Sequence, residues 1–222
     1  RGGGLTAYAS SDFTVENGVL TAYTGDDATV TIPSTVTRIK STAFQTSHDM
    51  TKIVIPTSVT TIDNTAFDRC SKLKEFSVSG NSYFTTTEGG VLFTKDLKKI
   101  VKYPAGRTST SFKIPSSVTT IGNSSFYKAN NLTSVTVQSG VTTIEKWGFC
   151  SMSNLQTITL PDTLQTIGAY AFSSDKSLAS ISIPSSVTTI GSYAFQKSGL
   201  GVVTIPTSVT SMGDHAFNEC KS

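Results

Sequence analysis

The side chains able to do acid–base or metal chemistry are few and widely spread. His48 and His215 are the two histidines of the 222-residue chain, and neither has a carboxylate partner at a repeating distance that would orient it for proton transfer. No G-x-S-x-G elbow, H-E-x-x-H metal motif or phosphate-binding glycine loop occurs. The expectation is a chain with no catalytic residues, no metal site and no cofactor. Side chains suited to binding fall into three sets. Trp147, Tyr170, Tyr193 and His215 place four rings at steps of 23, 23 and 22 residues. Thr136, Thr159, Ser182 and Thr204 repeat a hydroxyl at the same steps. Lys98, Lys99 and Lys102, with Lys95 and Arg107, form a basic run interrupted only by Asp96.

The spacing of the first two sets runs through most of the chain. The segment Ile-Pro-x-x-Val-x-x-Ile-Gly-x-x-Ala-Phe recurs with its Pro at Pro33, Pro56, Pro115, Pro161, Pro184 and Pro206, and Gln138 fills the same slot. The steps are 23, then 59 across an interruption, then 23, 23, 23 and 22. Eleven residues after each comes Phe44, Phe67, Phe126, Phe149, Phe172, Phe195 or Phe217, so seven of the 12 Phe share one phase. Before the Pro lies a short alternating run such as Ile53–Ile55, Val135–Val137, Ile158–Leu160 or Ile181–Ile183, which reads as a half-buried strand. Proline has no N–H to donate and ends that strand. Ser41, Asn64, Asn123, Ser192 and Asp214 are helix N-cap types placed just before Ala-Phe, which predicts one helical turn there.

One such unit cannot enclose its apolar side chains, and stacked neighbours can. Parallel strands about 4.8 Å apart would then form one sheet face, with helical turns opposite and the Phe residues in an interior file. Two segments break the period. Asn17-Gly18 between alternating runs over 12–24 signals a hairpin, read as an N-terminal cap within a first unit of 1–28 that precedes a solenoid over 29–222. The second follows Ser79, where Pro is due; Pro115 comes 36 residues later. The runs 90–93 and 100–103 flank a polar turn, so a hairpin-bearing variant repeat is expected at about 80–110. It is either a binding insertion or a spacer that alters curvature. Cys70, Cys150 and Cys220 are two or more coils apart, beyond the ~7 Å Cα limit for a disulfide; three unpaired thiols are expected.

The pattern L-x-x-I-x-I-P-x-x-V-x-x-I-G-x-x-A-F resembles the BspA-like, or Treponema pallidum-type, leucine-rich repeat family over Thr29–Ser222 apart from the insertion. The resemblance implies an α/β leucine-rich-repeat superhelix with one parallel sheet face. It also implies display on the surface of bacteria and some parasitic protists, with adhesion or host interaction as the role. Gln138 and Ser79 depart from the pattern by replacing the Pro. The chain stops part-way through its last unit, which reads as a portion of a longer protein.

Composition narrows the partners. Only 15% of residues are charged, and the net charge of +3 is too small to argue for nucleic acid. No apolar run approaches the ~20 residues that span a bilayer. Each binding set keeps two readings. The rings form a platform for sugar rings or a partner's apolar groups, or they pack on one another and shield an edge. The hydroxyls suit a solvated strand, or a lattice that meets glycan or ice. The lysines meet anionic polysaccharide or lipid headgroups, or are a solvated face. The expected function is a monomeric, extracellular or cell-surface module that binds a host or neighbouring-cell surface or matrix protein or glycan. The alternative is a stalk within a larger surface protein.

Overall fold

The computed structural model describes residues 12–46, 49–87 and 89–221. Its regular coils have three sides. The first side is the strand before the Pro. Thr29–Thr31, Lys52–Ile55 and Glu75–Val78 pair in parallel as one three-stranded sheet, and Ser111–Lys113, Ser134–Thr136 and Thr157–Thr159 as another. Equivalent residues sit in register, Val30 beside Ile53 beside Phe76 and Phe112 beside Val135 beside Ile158. The second side is a two-residue strand nearer the Phe. Thr120–Ile121, Thr143–Ile144, Thr166–Ile167, Thr189–Ile190 and Ser211–Met212 continue an eight-stranded sheet.

The third side overturns the expected helical turns: among the described residues there is no helix, and the solenoid is all β and turn. The reason lies in where alternate N–H groups go. In the coil of Phe149, Gly148 and Cys150 donate to Glu145 and Trp147 three residues back, at 3.0 and 3.2 Å. Trp147, Phe149 and Ser151 instead donate to Ala169, Ala171 and Ser173 of the next coil, at 3.0, 2.8 and 2.8 Å. An α-helix would spend every N–H along its own axis, leaving the neighbouring carbonyls unmet in a buried stack. Left-handed residues, Trp147 at φ 60° and Ser151 at φ 58°, separate the two successive turns. The single sheet face also needs correction. It is divided in two by the insertion, a second sheet runs alongside it, and neither 181–183 nor 202–205 forms a strand.

Phe13–Glu16 and Val19–Tyr23 form an antiparallel hairpin, turned by Asn17 and Gly18 at φ 51° and 78°. Its second strand pairs in parallel with Arg38–Ile39, so Leu20 and Tyr23 close the end of the core. In the insertion Phe84–Thr86, Leu92–Thr94 and Lys99–Lys102 pair antiparallel, and the last of these then pairs in parallel with Thr120–Ile121. Buried Asn81 stands in for the Pro-x-x-Val turn here, donating to the Pro56 and Val59 carbonyls and accepting from the Tyr83 and Phe84 N–H groups. Gln138 fills a Pro slot by donating its side-chain amide to the Ile114 carbonyl of the previous coil.

The interior is two apolar clusters that meet near Leu92. In the second, Tyr103 stands one period before Phe126 and starts a file that continues through Phe149, Phe172, Phe195 and Phe217, with ring centroids 4.9–5.5 Å apart. In the first, Tyr23, Phe44 and Phe67 follow at 5.9 and 5.6 Å, but Phe67 then turns onto Phe76. Threonine saturates the coil edges. Thr51, Thr60, Thr133, Thr142 and Thr188 each donate a hydroxyl to a carbonyl 23 residues back, at 3.1–3.4 Å. Much of the hydroxyl-rich composition therefore has a structural use.

Candidate functional site

The four rings come together on the third side of the solenoid. Trp147, Tyr170, Tyr193 and His215 hold the first left-handed position of successive turns, at φ 57–60°. That conformation costs an L-residue roughly 1–2 kcal/mol, and it throws the side chain outward beside its neighbours. Centroid separations are 6.1, 5.0 and 5.1 Å, with Tyr170 and Tyr193 nearly parallel at 8°. The first three rings are half-buried and His215 is exposed. Lys146, a residue the sequence pattern does not single out, lies 4.2 Å from the Trp147 ring centroid and 5.9 Å from that of Tyr170. The strip is thus an aromatic ladder with a cation at one end, able to meet sugar faces, apolar groups or a carboxylate.

The hydroxyl set does not form one sheet. Thr136 and Thr159 are exposed partners on adjacent strands, whereas exposed Ser182 and Thr204 sit on backbone outside any strand. The basic run is dispersed. Lys98 is exposed, Lys99 pairs with Glu145 at 3.0 Å, and Lys102 is only 4% exposed. The Lys102 ammonium donates to Asp68 and to the Ser124 carbonyl, both at 2.9 Å. Arg107 donates to the Gly89 carbonyl and covers the Tyr103 ring. Lys102 therefore serves the core, and the alternation Lys99-Ile100-Val101-Lys102 gave no sign of which lysine points inward.

The titratable groups elsewhere are structural. Burial pushes the Cys70 thiol up to about 12 and the Cys150 thiol to about 11, which keeps both protonated and poor nucleophiles. All three cysteines are unpaired, as the coil spacing required. Asp175 is fully buried; one carboxylate oxygen accepts the Met152 N–H at 2.8 Å and the other has no partner. Desolvation raises its pKa well above the usual carboxylate range. Asp63 is held lower by the two hydrogen bonds it accepts from Arg38. Among the described residues no three metal-ligating side chains gather, and no helix is long and apolar enough to cross a membrane. His48 lies outside the described residues.

Comparison with known families settles what kind of solenoid this is. The family described as a BspA type leucine rich repeat region matches residues 26–106 and 103–222, in six copies. The chain belongs to the BspA-type leucine-rich repeat family. Two solved structures have the same fold. The pneumococcal vaccine antigen PcpA is 23% identical, with a TM-score of 0.72 over 84% of this chain and 54% of that one. A leucine rich cell surface protein from Faecalibacterium prausnitzii is 29% identical, with a TM-score of 0.71 over 85% of this chain and 50% of that one. The BspA-type chain thus spans about half the length of each. A search of curated proteins found no match. The BspA-type solenoid is a repeat module of the kind that mediates protein interactions.

Proposed function

We propose that this BspA-type solenoid is a non-catalytic, cell-surface or secreted binding module. In this reading the ladder Trp147–Tyr170–Tyr193–His215 contacts a surface or matrix protein or a glycan of a host or neighbouring cell. The observation that carries the proposal is the conformation of the ladder. Four rings occupy strained left-handed positions where Thr65 and Ser124 suffice in other coils, and they remain partly open to solvent. Rigid aromatic groups held this way add contact area at little entropic cost. The exposed hydroxyls of Thr136, Thr159, Ser182 and Thr204 and the Lys98 ammonium are further contact surfaces in this proposal. Surface location is supported by the F. prausnitzii protein, described as a cell surface protein.

The test is a panel of immobilised matrix proteins and glycans, repeated with Trp147→Ala and Tyr170→Ala. At least one ligand should appear, and its affinity should fall about tenfold or more in each variant, ~1.4 kcal/mol. A panel without a ligand, or affinity indifferent to both changes, overturns the reading. A stalk function is the second reading, favoured by the near-parallel contact of Tyr170 with Tyr193, in which each ring covers the other's face. Binding or catalytic modules encoded beside this segment, together with a silent panel, would select it.

A further inference from the structure

The ladder rings spend most of their faces on one another. Tyr170 and Tyr193 lie 5.0 Å apart at 8°, Tyr193 and His215 5.1 Å apart at 30°, and Trp147 meets Tyr170 at 6.1 Å. Tyr170 and Tyr193 thus have a ring neighbour on each side. A sugar stacks on an open ring face, and an oligosaccharide laid along the strip finds none at the two middle rungs. What the strip turns outward is a row of ring edges, half-buried from Trp147 to Tyr193 and exposed at His215. Ring edges carry the positive side of the aromatic quadrupole, so they pack on apolar groups and on acceptor oxygens.

The residue before each ring is Lys146, Ala169, Ser192 and Asp214 in turn. Lys146 and Asp214 are exposed, and neither forms an ion pair among the described residues. A cation therefore stands at the Trp147 end, a carboxylate at the His215 end, and two small neutral residues between them. One position earlier come Gly168, Gly191 and Gly213, where a Cβ would collide with the main-chain nitrogens of Lys146, Ala169 and Ser192 on the preceding coil. Coil stacking keeps this border bare, and the rings stand beside it as a ridge. The rungs are 6.1, 5.0 and 5.1 Å apart, close to the rise of one helical turn, about 5.4 Å. Same-face residues of a strand lie about 6.7 Å apart, overshoot every rung and drift out of register.

We propose that the ladder takes a polypeptide rather than a glycan, an inference that rests on the ladder being a contact surface. The partner is an amphipathic helix lying along the solenoid axis, with an acidic side chain at Lys146 and a basic one at Asp214. Apolar side chains on successive helical turns pack on successive ring edges, and the glycine border leaves room for the helix beside the ridge. The two end charges are solvent-exposed, so they set the direction of the helix more than its affinity.

Trp147 is the one tryptophan of the chain, so its emission reports occupancy of the strip. The probe is a display library of helical, alanine-rich peptides of about four turns, randomised along one face and panned against the whole chain. Selected peptides are titrated by Trp147 emission beside cellohexaose and chitohexaose. They should carry apolar residues on successive turns between an acidic and a basic end, and bind Tyr170→Ala and Tyr193→Ala about tenfold or more weakly. A proline in mid-helix should abolish binding. Lys146→Glu, a change at an exposed site, should weaken binding about threefold or more, and a lysine in place of the peptide's acidic residue should restore it. An absence of binders, binding indifferent to the proline or to Tyr193→Ala, or no rescue of Lys146→Glu overturns the helical partner. Hexasaccharides that bind through Tyr170 where no peptide does would keep the ladder as a contact surface and remove only this inference; silence from both probes would remove both.

Discussion

The coils after Pro115 and those before the insertion carry the same repeat but hold their turn segments differently. In the later coils each turn donates to the next, the left-handed position carries Trp147, Tyr170, Tyr193 or His215, and the interior Phe file runs unbroken from Tyr103 to Phe217. In the earlier pair the left-handed slot is the small Thr65, Thr42 does not adopt a positive φ, and the file bends aside at Phe76. Lys102 and Asp68 bridge the gap that remains. The difference teaches that the repeat is a set of half-satisfied bonds. The same turn is tied to the next coil by main-chain hydrogen bonds in the later region, and the Lys102–Asp68 pair joins the coils beside it in the earlier one.

Four measurements sharpen or break that contrast. Phe172→Ala should cost the most, about 3–5 kcal/mol from lost transfer energy and a cavity between Phe149 and Phe195. Hydrogen exchange should accelerate across 118–217 and much less across 20–76. Equal acceleration in both would show that the two clusters unfold as one. Asp68→Ala, which strands a buried ammonium, should cost roughly 3 kcal/mol or more, and Lys102→Met added to it should recover most of the loss. Urea midpoints for the two single variants and the double variant form the cycle; simple additivity would mean the pair does not bridge the gap.

The third concerns Asp175, whose raised native pKa means the folded chain binds its proton more tightly than the unfolded one. Stability should then fall as pH rises from the ordinary carboxylate pKa, near 4, towards the raised native value. The urea midpoint of Asp175→Asn should lack this decline, whereas an identical slope in the variant would assign the effect elsewhere. The smallest effect separates the two kinds of turn. Thr65→Gly relieves a left-handed residue that has no ring neighbours and should gain about 1 kcal/mol. Tyr170→Gly removes a stacked ring and should lose stability despite the same relief. Thermal midpoints moving the same way in both variants would deny that stacking compensates the strain.

The candidate surfaces were legible to unequal degrees. The rings could be placed from their spacing because residues one period apart must stack, whatever the turn between them. Lys146 above Trp147 follows no period and was missed. Lys102 was grouped with its neighbours because charge in a sequence carries no direction; Asp68, 34 residues earlier, and the Ser124 carbonyl, 22 residues later, turn it inward. Tyr103 could have been found by stepping back one period from Phe126, but its flanking Lys102 and Pro104 hide the repeat pattern.

The 23-residue period alone determined which side chains lie above one another, since equal steps in a stacked chain bring like residues to like places. It could not determine what the Ala-Phe turn becomes. Ser, Asn and Asp before it favour a helix locally, yet buried N–H groups must find acceptors, and in the stack those acceptors lie on the neighbouring coil. Nor could it reveal that Lys102 of the insertion turns inward to Asp68 and the Ser124 carbonyl, groups 34 and 22 residues away. That ammonium is placed by partners on two coils that meet only in the folded chain.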